Sequence, residues 1–96
     1  MAVKVNVRLL GVFRGLSGKG QISLNLKKPT VRGVVLKLVE SLSVEAKRLL
    51  VDPELNDPRP NALILVNGKE INVLKGLETE LKDGDEVTLI PVSHGG

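Results

Sequence analysis

Residues 30–42, "TVRGVVLKLVESL", carry the one long apolar stripe of helical period in the chain. Val31, Val34, Val35, Leu38, Val39 and Leu42 fall at i, i+3, i+4, i+7, i+8 and i+11, a single helix face. Most other patterned segments alternate, so the chain has strands to spare and only one good helix to cover them. Thr30 is placed as the N-cap, and Pro29 blocks extension of the helix backwards. Gly33 costs about 1 kcal/mol relative to alanine in a helix, tolerable in a fraying first turn. Ser43 heads a short second helix through Leu50, with Ala46, Leu49 and Leu50 expected inward.

The alternating segments read as strands. In "VKVNVRL", residues 3–9, Val3, Val5, Val7 and Leu9 face one way and Lys4, Asn6 and Arg8 the other. Four glycines in residues 11–20 predict a turn, after which "QISLNL" alternates through Ile22, Leu24 and Leu26. "VDPELNDPRP" reads as a loop whose order rests on packing of Leu55. "NALILV" runs into Asn67-Gly68, a strong hairpin signal, and "KEINV" returns as a short strand. "LKGLETEL" reads as a loop with one helical turn, and a turn at Asp83-Gly84-Asp85 leads to a last strand ending at Pro91. The order β-β-α-β-β-β predicts an α+β domain, a mixed sheet of four to five strands packed on one main helix. Its expected extent is residues 1–91, with residues 92–96 a flexible tail ending in Gly-Gly.

Composition limits the chemistry. Phe13 is the sole aromatic residue, so the core must be built from Val, Leu and Ile. With no cysteine there is no disulfide, thiolate metal site or catalytic thiol. The N-terminal segment alternates, unlike the apolar core of a signal peptide, and no run approaches a membrane span, which predicts a cytoplasmic protein with no membrane partner. Fourteen basic against eleven acidic residues give +3, spread along the chain and not gathered into a block.

Candidate chemistries fall away in turn. A phosphate loop would need glycine where Phe13 stands and Ser or Thr where Gly20 follows Lys19, and a helix where a strand follows. Metal sites of the zinc type need clustered histidine or cysteine ligands, and with one histidine and no cysteine no metal ligands are assigned. The pairs Asp52/Asp57 and Asp83/Asp85 lie in turns, where aspartate hydrogen-bonds its own backbone. Ser93 and His94 are adjacent but have no third group to orient them, so no catalytic residues are assigned. One phenylalanine gives no stacking platform for single strands, and no basic recognition helix is present, which disfavours a nucleic-acid partner.

The stretch "LILVNGKEINVLKGLETELKDGDEVTLIPVSHGG" resembles the end of the β-grasp, ubiquitin-like sulfur carriers of the MoaD and ThiS type. That group includes the small subunit of molybdopterin synthase, the ubiquitin-related modifiers and the small archaeal modifiers. The residues that carry the likeness are Asn67-Gly68, Gly76, Leu77, Leu81, Asp83-Gly84-Asp85, Pro91 and Gly95-Gly96. The opening strand, "FRGLSGK" and the Thr-Val helix start are similar at lower specificity.

The resemblance implies a β-grasp fold and a carrier that is not itself an enzyme. Gly96 would be the covalent attachment point, adenylated by a ubiquitin-activating-like enzyme that uses ATP, with no cofactor bound to the carrier. Sulfur would then replace one oxygen to give a thiocarboxylate. The recipient would be a molybdopterin-synthase-type large subunit or another sulfur acceptor, in molybdenum cofactor synthesis or tRNA thiolation. The alternative is a protein modifier joined to lysines through Gly96; a third is a β-grasp interaction or RNA-binding module with an inert tail. Glycine leaves the acyl carbon unhindered, and Val92 to Gly96 reaches about 15–18 Å when extended. Gly95, His94 and Ser93 are therefore expected to thread into the partner. His94 reads as a solvated tail residue or as a contact for acidic or adenylate-binding groups of the activating enzyme. "PVSHGG" is nearer the His-Gly-Gly ending of the ubiquitin-related modifiers than the Pro-Pro-Val-Ala lead-in of molybdopterin-synthase subunits.

A docking surface is expected beside the tail. "ALILV" is apolar on both faces, but only one can meet the helix. Leu65 with Ile90 is therefore assigned to the outer sheet face as a site for the activating enzyme or acceptor.

Overall fold

The computed structural model describes residues 2–16, 18 and 20–92. β1 (Val3–Leu9) and β2 (Gln21–Leu26) pair antiparallel, with Val5 opposite Leu24. β5 (Glu86–Pro91) lies parallel to β1, with Val7 beside Val87, and antiparallel to β3 (Ala62–Val66), with Ile64 beside Leu89. The two-residue β4 (Lys69–Glu70) closes the far edge, giving one mixed sheet in the order β2-β1-β5-β3-β4.

Alternation decides which side of each strand is buried. Val5, Val7, Leu9, Leu24, Leu26, Ala62, Ile64, Val66, Val87 and Leu89 join one core with Val31, Val34, Val35 and Leu38 of α1 (Val31–Val39). Each valine, leucine or isoleucine among them contributes about 1.5–3 kcal/mol when fully removed from water. This is the α+β, β-grasp arrangement expected from the sequence, with five strands.

The main helix begins as expected and ends early. Thr30 Oγ1 accepts the Gly33 N–H at 3.1 Å, the N-cap bond. α1 stops at Val39, three residues short of the apolar stripe's last member, where the Ser41 and Leu42 amides shift to the i−3 carbonyls of Leu38 (3.4 Å) and Val39 (3.2 Å) and Ser41 Oγ also donates to Leu38 (3.3 Å). Ser43 then caps α2 (Val44–Leu50) by accepting the Ala46 N–H at 3.1 Å. Leu50 is buried and Ala46 half-buried, but Leu49 is 49% exposed, against the expectation that it turns inward. A two-turn helix presents a narrow buried stripe, and Leu49 lies about 100° round from Leu50.

Three other expectations are corrected. The glycine-rich connection contains a 3₁₀ helix, Gly11–Leu16, because its lone aromatic, Phe13, is buried in the core. "KEINV" extends only over Lys69–Glu70; Glu70 then accepts the Asn72 N–H (2.7 Å) and turns Ile71–Val73 into a 3₁₀ helix that buries Ile71. The loop after α2 is not ordered by Leu55, which is 67% exposed. Asp52 orders it: its Oδ1 accepts from the Glu54 and Leu55 amides, both at 2.9 Å, while its own amide donates to the Asp57 carbonyl (2.9 Å). Arg59 forks onto the Asp57 carboxylate (2.6 Å at Nη2) and, by that hydrogen bond above all, holds its pKa below the usual carboxylate value.

Gly33 is required by space. The Lys28 carbonyl accepts the Thr30 N–H at 2.8 Å, and a Cβ on residue 33 would lie 2.4 Å from that oxygen. Although alanine is the better helix former by about 1 kcal/mol, Gly33→Ala is expected to destabilise the fold by about 1–3 kcal/mol. Urea unfolding measures this, and a variant as stable as the parent would refute the packing argument.

Candidate functional site

β5 leads to the tail from the middle of the sheet, paired on both sides. Toward its end, the Leu10 N–H donates to the Leu89 carbonyl (3.1 Å), Ala62 lies opposite Pro91, and the Val92 N–H donates to the Asn61 carbonyl (3.1 Å). Asn61 is itself held from two directions: its amide donates to Pro58 (2.9 Å) and its Nδ2 to the Arg48 carbonyl on α2 (3.3 Å). Proline has no N–H to offer the ladder, yet Pro91 costs nothing toward β1, because that chain has already turned away at Gly11, where φ is +54°. A Cβ at Gly11 would stand 2.7 Å from Pro91 Cγ, so the turn and the proline ring pack directly together. The root of the tail is thereby fixed by β3 on one side and by the start of the 3₁₀ helix on the other.

The outer face of the sheet divides in two. Over β1 and β2 it is polar: Gln21 Nε2 donates to Asn6 Oδ1 (3.0 Å), and Arg8 pairs with Glu86 at 3.7 Å. Over β3 and the end of β5 it is apolar except for buried Thr88. Leu63 lies opposite Ile90 and Leu65 opposite Thr88. Ala62, Ile64 and Val66 take the core face, which leaves Leu65 and Ile90 half-buried on the outside and Leu63 38% exposed. The structure thus brings Leu65 and Ile90 onto one face, diagonally across the β3–β5 pair. Leu63, Ile90's direct partner, belongs with them. The alternation of "ALILV" carries that signal, since Leu63 shares Leu65's parity. Gly11 and Asn61 gave no such signal, because a tertiary contact with Pro91 or Val92 leaves no local pattern.

Ser93, His94, Gly95 and Gly96 lie outside the described residues. Among the described residues, no cluster of three or more His, Asp or Glu side chains could hold a metal. The turn aspartates are engaged in folding: Asp83 accepts the Lys4 amide (2.9 Å), and Asp85 accepts the Lys82 amide (2.7 Å) and Asn67 Nδ2 (3.0 Å). No helix among them is long and apolar enough to cross a membrane.

Comparison with known proteins adds a family. The sequence model of the ThiS family matches residues 7–96. A putative sulfur carrier protein of Archaeoglobus fulgidus is 33% identical over 79 residues, covering 81% of this chain and 86% of that one. Small archaeal modifier protein 3 of Haloferax volcanii is 32% identical over 95 residues, 98% of this chain and all of that one. Among solved structures, small archaeal modifier protein 1 of Methanosarcina acetivorans superposes with a TM-score of 0.81 at 29% identity, covering 100% and 99% of the two chains. Urm1 of Trypanosoma brucei gives 0.76 at 31% identity, covering 99% and 97%. A chain of the Amycolatopsis orientalis BexX/CysO complex gives 0.68 at 27% identity, covering 96% and 99%.

Replacing Gly11 by alanine should loosen the root of the tail without unfolding the sheet. Faster amide hydrogen exchange at Leu10 and Val92 is expected, with Val5 and Val7 in mid-β1 unchanged; unchanged exchange at Val92 would refute the contact's role.

Proposed function

The chain belongs to the ThiS family, and from that membership we propose that it is a sulfur carrier working through the carboxylate of Gly96. The observation that carries the reading is the family match, which extends through the diglycine to residue 96. A carboxylate is a poor electrophile at neutral pH, so it must first be activated. The Gly96 oxygen attacks the α-phosphorus of ATP on a partner enzyme, giving the acyl adenylate and releasing pyrophosphate. A sulfur nucleophile then adds to the acyl carbon and AMP leaves, giving the thiocarboxylate that a second protein consumes. ATP is the partner's substrate; the carrier needs no cofactor, catalyses nothing itself and works in the cytoplasm. Similarity to a chain of the BexX/CysO complex supports a carrier that operates by docking to other proteins.

A second reading, attachment to lysines, is favoured by the likeness to two small archaeal modifiers and Urm1. The first chemical step is the same; a lysine amine replaces sulfur as the nucleophile and an isopeptide replaces the thiocarboxylate.

Incubating the chain with its cognate adenylating enzyme, ATP and sulfide should yield a species heavier by the oxygen-to-sulfur difference in intact-mass analysis. Deleting Gly95-Gly96 should abolish it. Absence of any adenylate or thiocarboxylate from the intact chain would end the carrier reading, whereas lysine peptides from native cells branched with the Asp83–Gly96 fragment that trypsin leaves after Lys82 would establish the modifier one.

The apolar half of the outer face is the proposed docking site for that enzyme. Leu65→Ser and Ile90→Ser are each expected to raise the carrier's KM in ATP–pyrophosphate exchange roughly tenfold or more, with kcat nearly unchanged. A KM equal to the parent's for both variants would remove Leu65 and Ile90 from the interface.

A further inference from the structure

Three exposed apolar side chains from three separate segments meet at the root of the tail: the 3₁₀ helix, α2 and the residue after β5. Val12 is 65% exposed, Leu49 49% and Val92 39%. With Phe13 and Pro91 they line one groove of about 270 Å³ at the end of β5, and Arg48 borders it. Folding does not require this apolarity. Buried Phe13 already anchors the 3₁₀ helix and buried Leu50 anchors α2, so Val12 and Leu49 sit on the outward sides of segments held by their neighbours. An apolar cluster that the core does not use marks a contact surface.

Reach identifies what covers it. The five residues from Val92 to Gly96 span about 15–18 Å when extended, of which the four steps beyond the Val92 Cα make about 13–14 Å. A catalytic group acting on the Gly96 carboxyl therefore works within that distance of the groove, and the protein around that group covers the surface next to Val92. Charge narrows the occupant. Among the described residues, the ion pairs are Arg8–Glu86, Arg32–Glu78, Lys37–Glu40 and Arg59–Asp57, leaving the exposed Arg48 out. Covering a guanidinium without an anion is costly, so the covering surface carries a carboxylate. A second copy of this chain fits poorly, since a two-fold contact through the groove sets Arg48 against Arg48.

We propose that the enzyme that adenylates Gly96 grips the carrier at two places, the second being the Val12–Leu49–Val92 groove, into which it places an apolar segment bearing an acidic residue against Arg48. This rests on the carrier reading above, and it makes the tail leave from between two contacts.

The test is ATP–pyrophosphate exchange by the cognate adenylating enzyme as a function of carrier concentration. Val12→Asp, Leu49→Asp and Arg48→Glu are each expected to raise the carrier's KM roughly tenfold, the loss typical of an anchor residue, with kcat within about twofold. Arg48→Lys should retain most of the affinity. Val73→Asp, at the exposed far edge beyond β4, should match the parent. Because Val12 and Leu49 stand outside the core, the variants should unfold within a few degrees of the parent, the small loss coming from a carboxylate placed in the last turn of α2, which separates docking from folding. Exchange that proceeds with parental KM in both Val12→Asp and Leu49→Asp overturns the groove contact while leaving the carrier reading intact. No exchange with the unaltered chain ends the carrier reading and this proposal with it. A dimer seen by sedimentation that Leu49→Asp dissolves would assign the groove to a second copy and overturn the proposal.

Discussion

The pairing of β5 along both edges is the constraint on which the rest of the molecule depends. The last strand of the chain inserts between the first and the third, parallel to β1 and antiparallel to β3. This long-range closure brings Val87 and Leu89 into the centre of the core. It also dictates the turns. Asp83 and Gly84 bond to Lys4 at the entry of β5, and Asn61 receives Val92 at its exit. A strand held at entry, middle and exit starts the tail from a fixed point on a rigid body.

That body is chemically quiet. No side-chain nitrogen or oxygen buried among the described residues lacks a hydrogen-bond partner. Asp52, Asp57, Asp83 and Asp85, the acidic groups that sequence alone made worth weighing, all hold backbone amides. A perturbed carboxyl in a cleft is one sign of acid–base catalysis. Here the perturbed one, Asp57, answers to the arginine beside it in a surface loop, which is a folding interaction. The surface that remains distinctive is apolar and lies around the exit of β5.

How much of this was legible in the sequence depends on the range of each interaction. Alternation in "VKVNVRL" and "QISLNL" and the stripe from Val31 fixed sides correctly, because side-chain direction is a local consequence of backbone period. Thr30, Ser43 and Asn67-Gly68 were readable for the same reason: caps and tight turns are made by residues within three positions. The errors have more than one cause, and that at Asp52 is a local turn signal left unused. Gly33 looked like a tolerated weakness and is a close approach to the Lys28 carbonyl. Leu55 looked like an anchor, but Asp52 does that work and frees it. Leu49 looked like core and faces the groove by Val92. The outer patch was half legible: parity grouped Leu63 with Leu65, while the register that sets Leu63 against Ile90 is a property of the paired sheet.

The composition of the tail explains why apolar surface should gather at its root. Holding four residues in one conformation inside a narrow site costs roughly 1–2 kcal/mol each, or about 4–8 kcal/mol, and glycine stands at the upper end. Gly95 and Gly96 have no side chains to bury, so half of the tail cannot offset this cost itself. Three well-buried leucine- or isoleucine-sized side chains contribute about 4.5–9 kcal/mol, the same range. Leu63, Leu65 and Ile90 on one side, and the smaller set Val12, Leu49 and Val92 on the other, are partly buried already, so each supplies a fraction of that figure and the two together reach the range required. Binding energy supplied by the body would thus hold a tail selected for slenderness, and the closer those contacts stand to Val92, the less of the four-residue reach is spent before the reacting carbon.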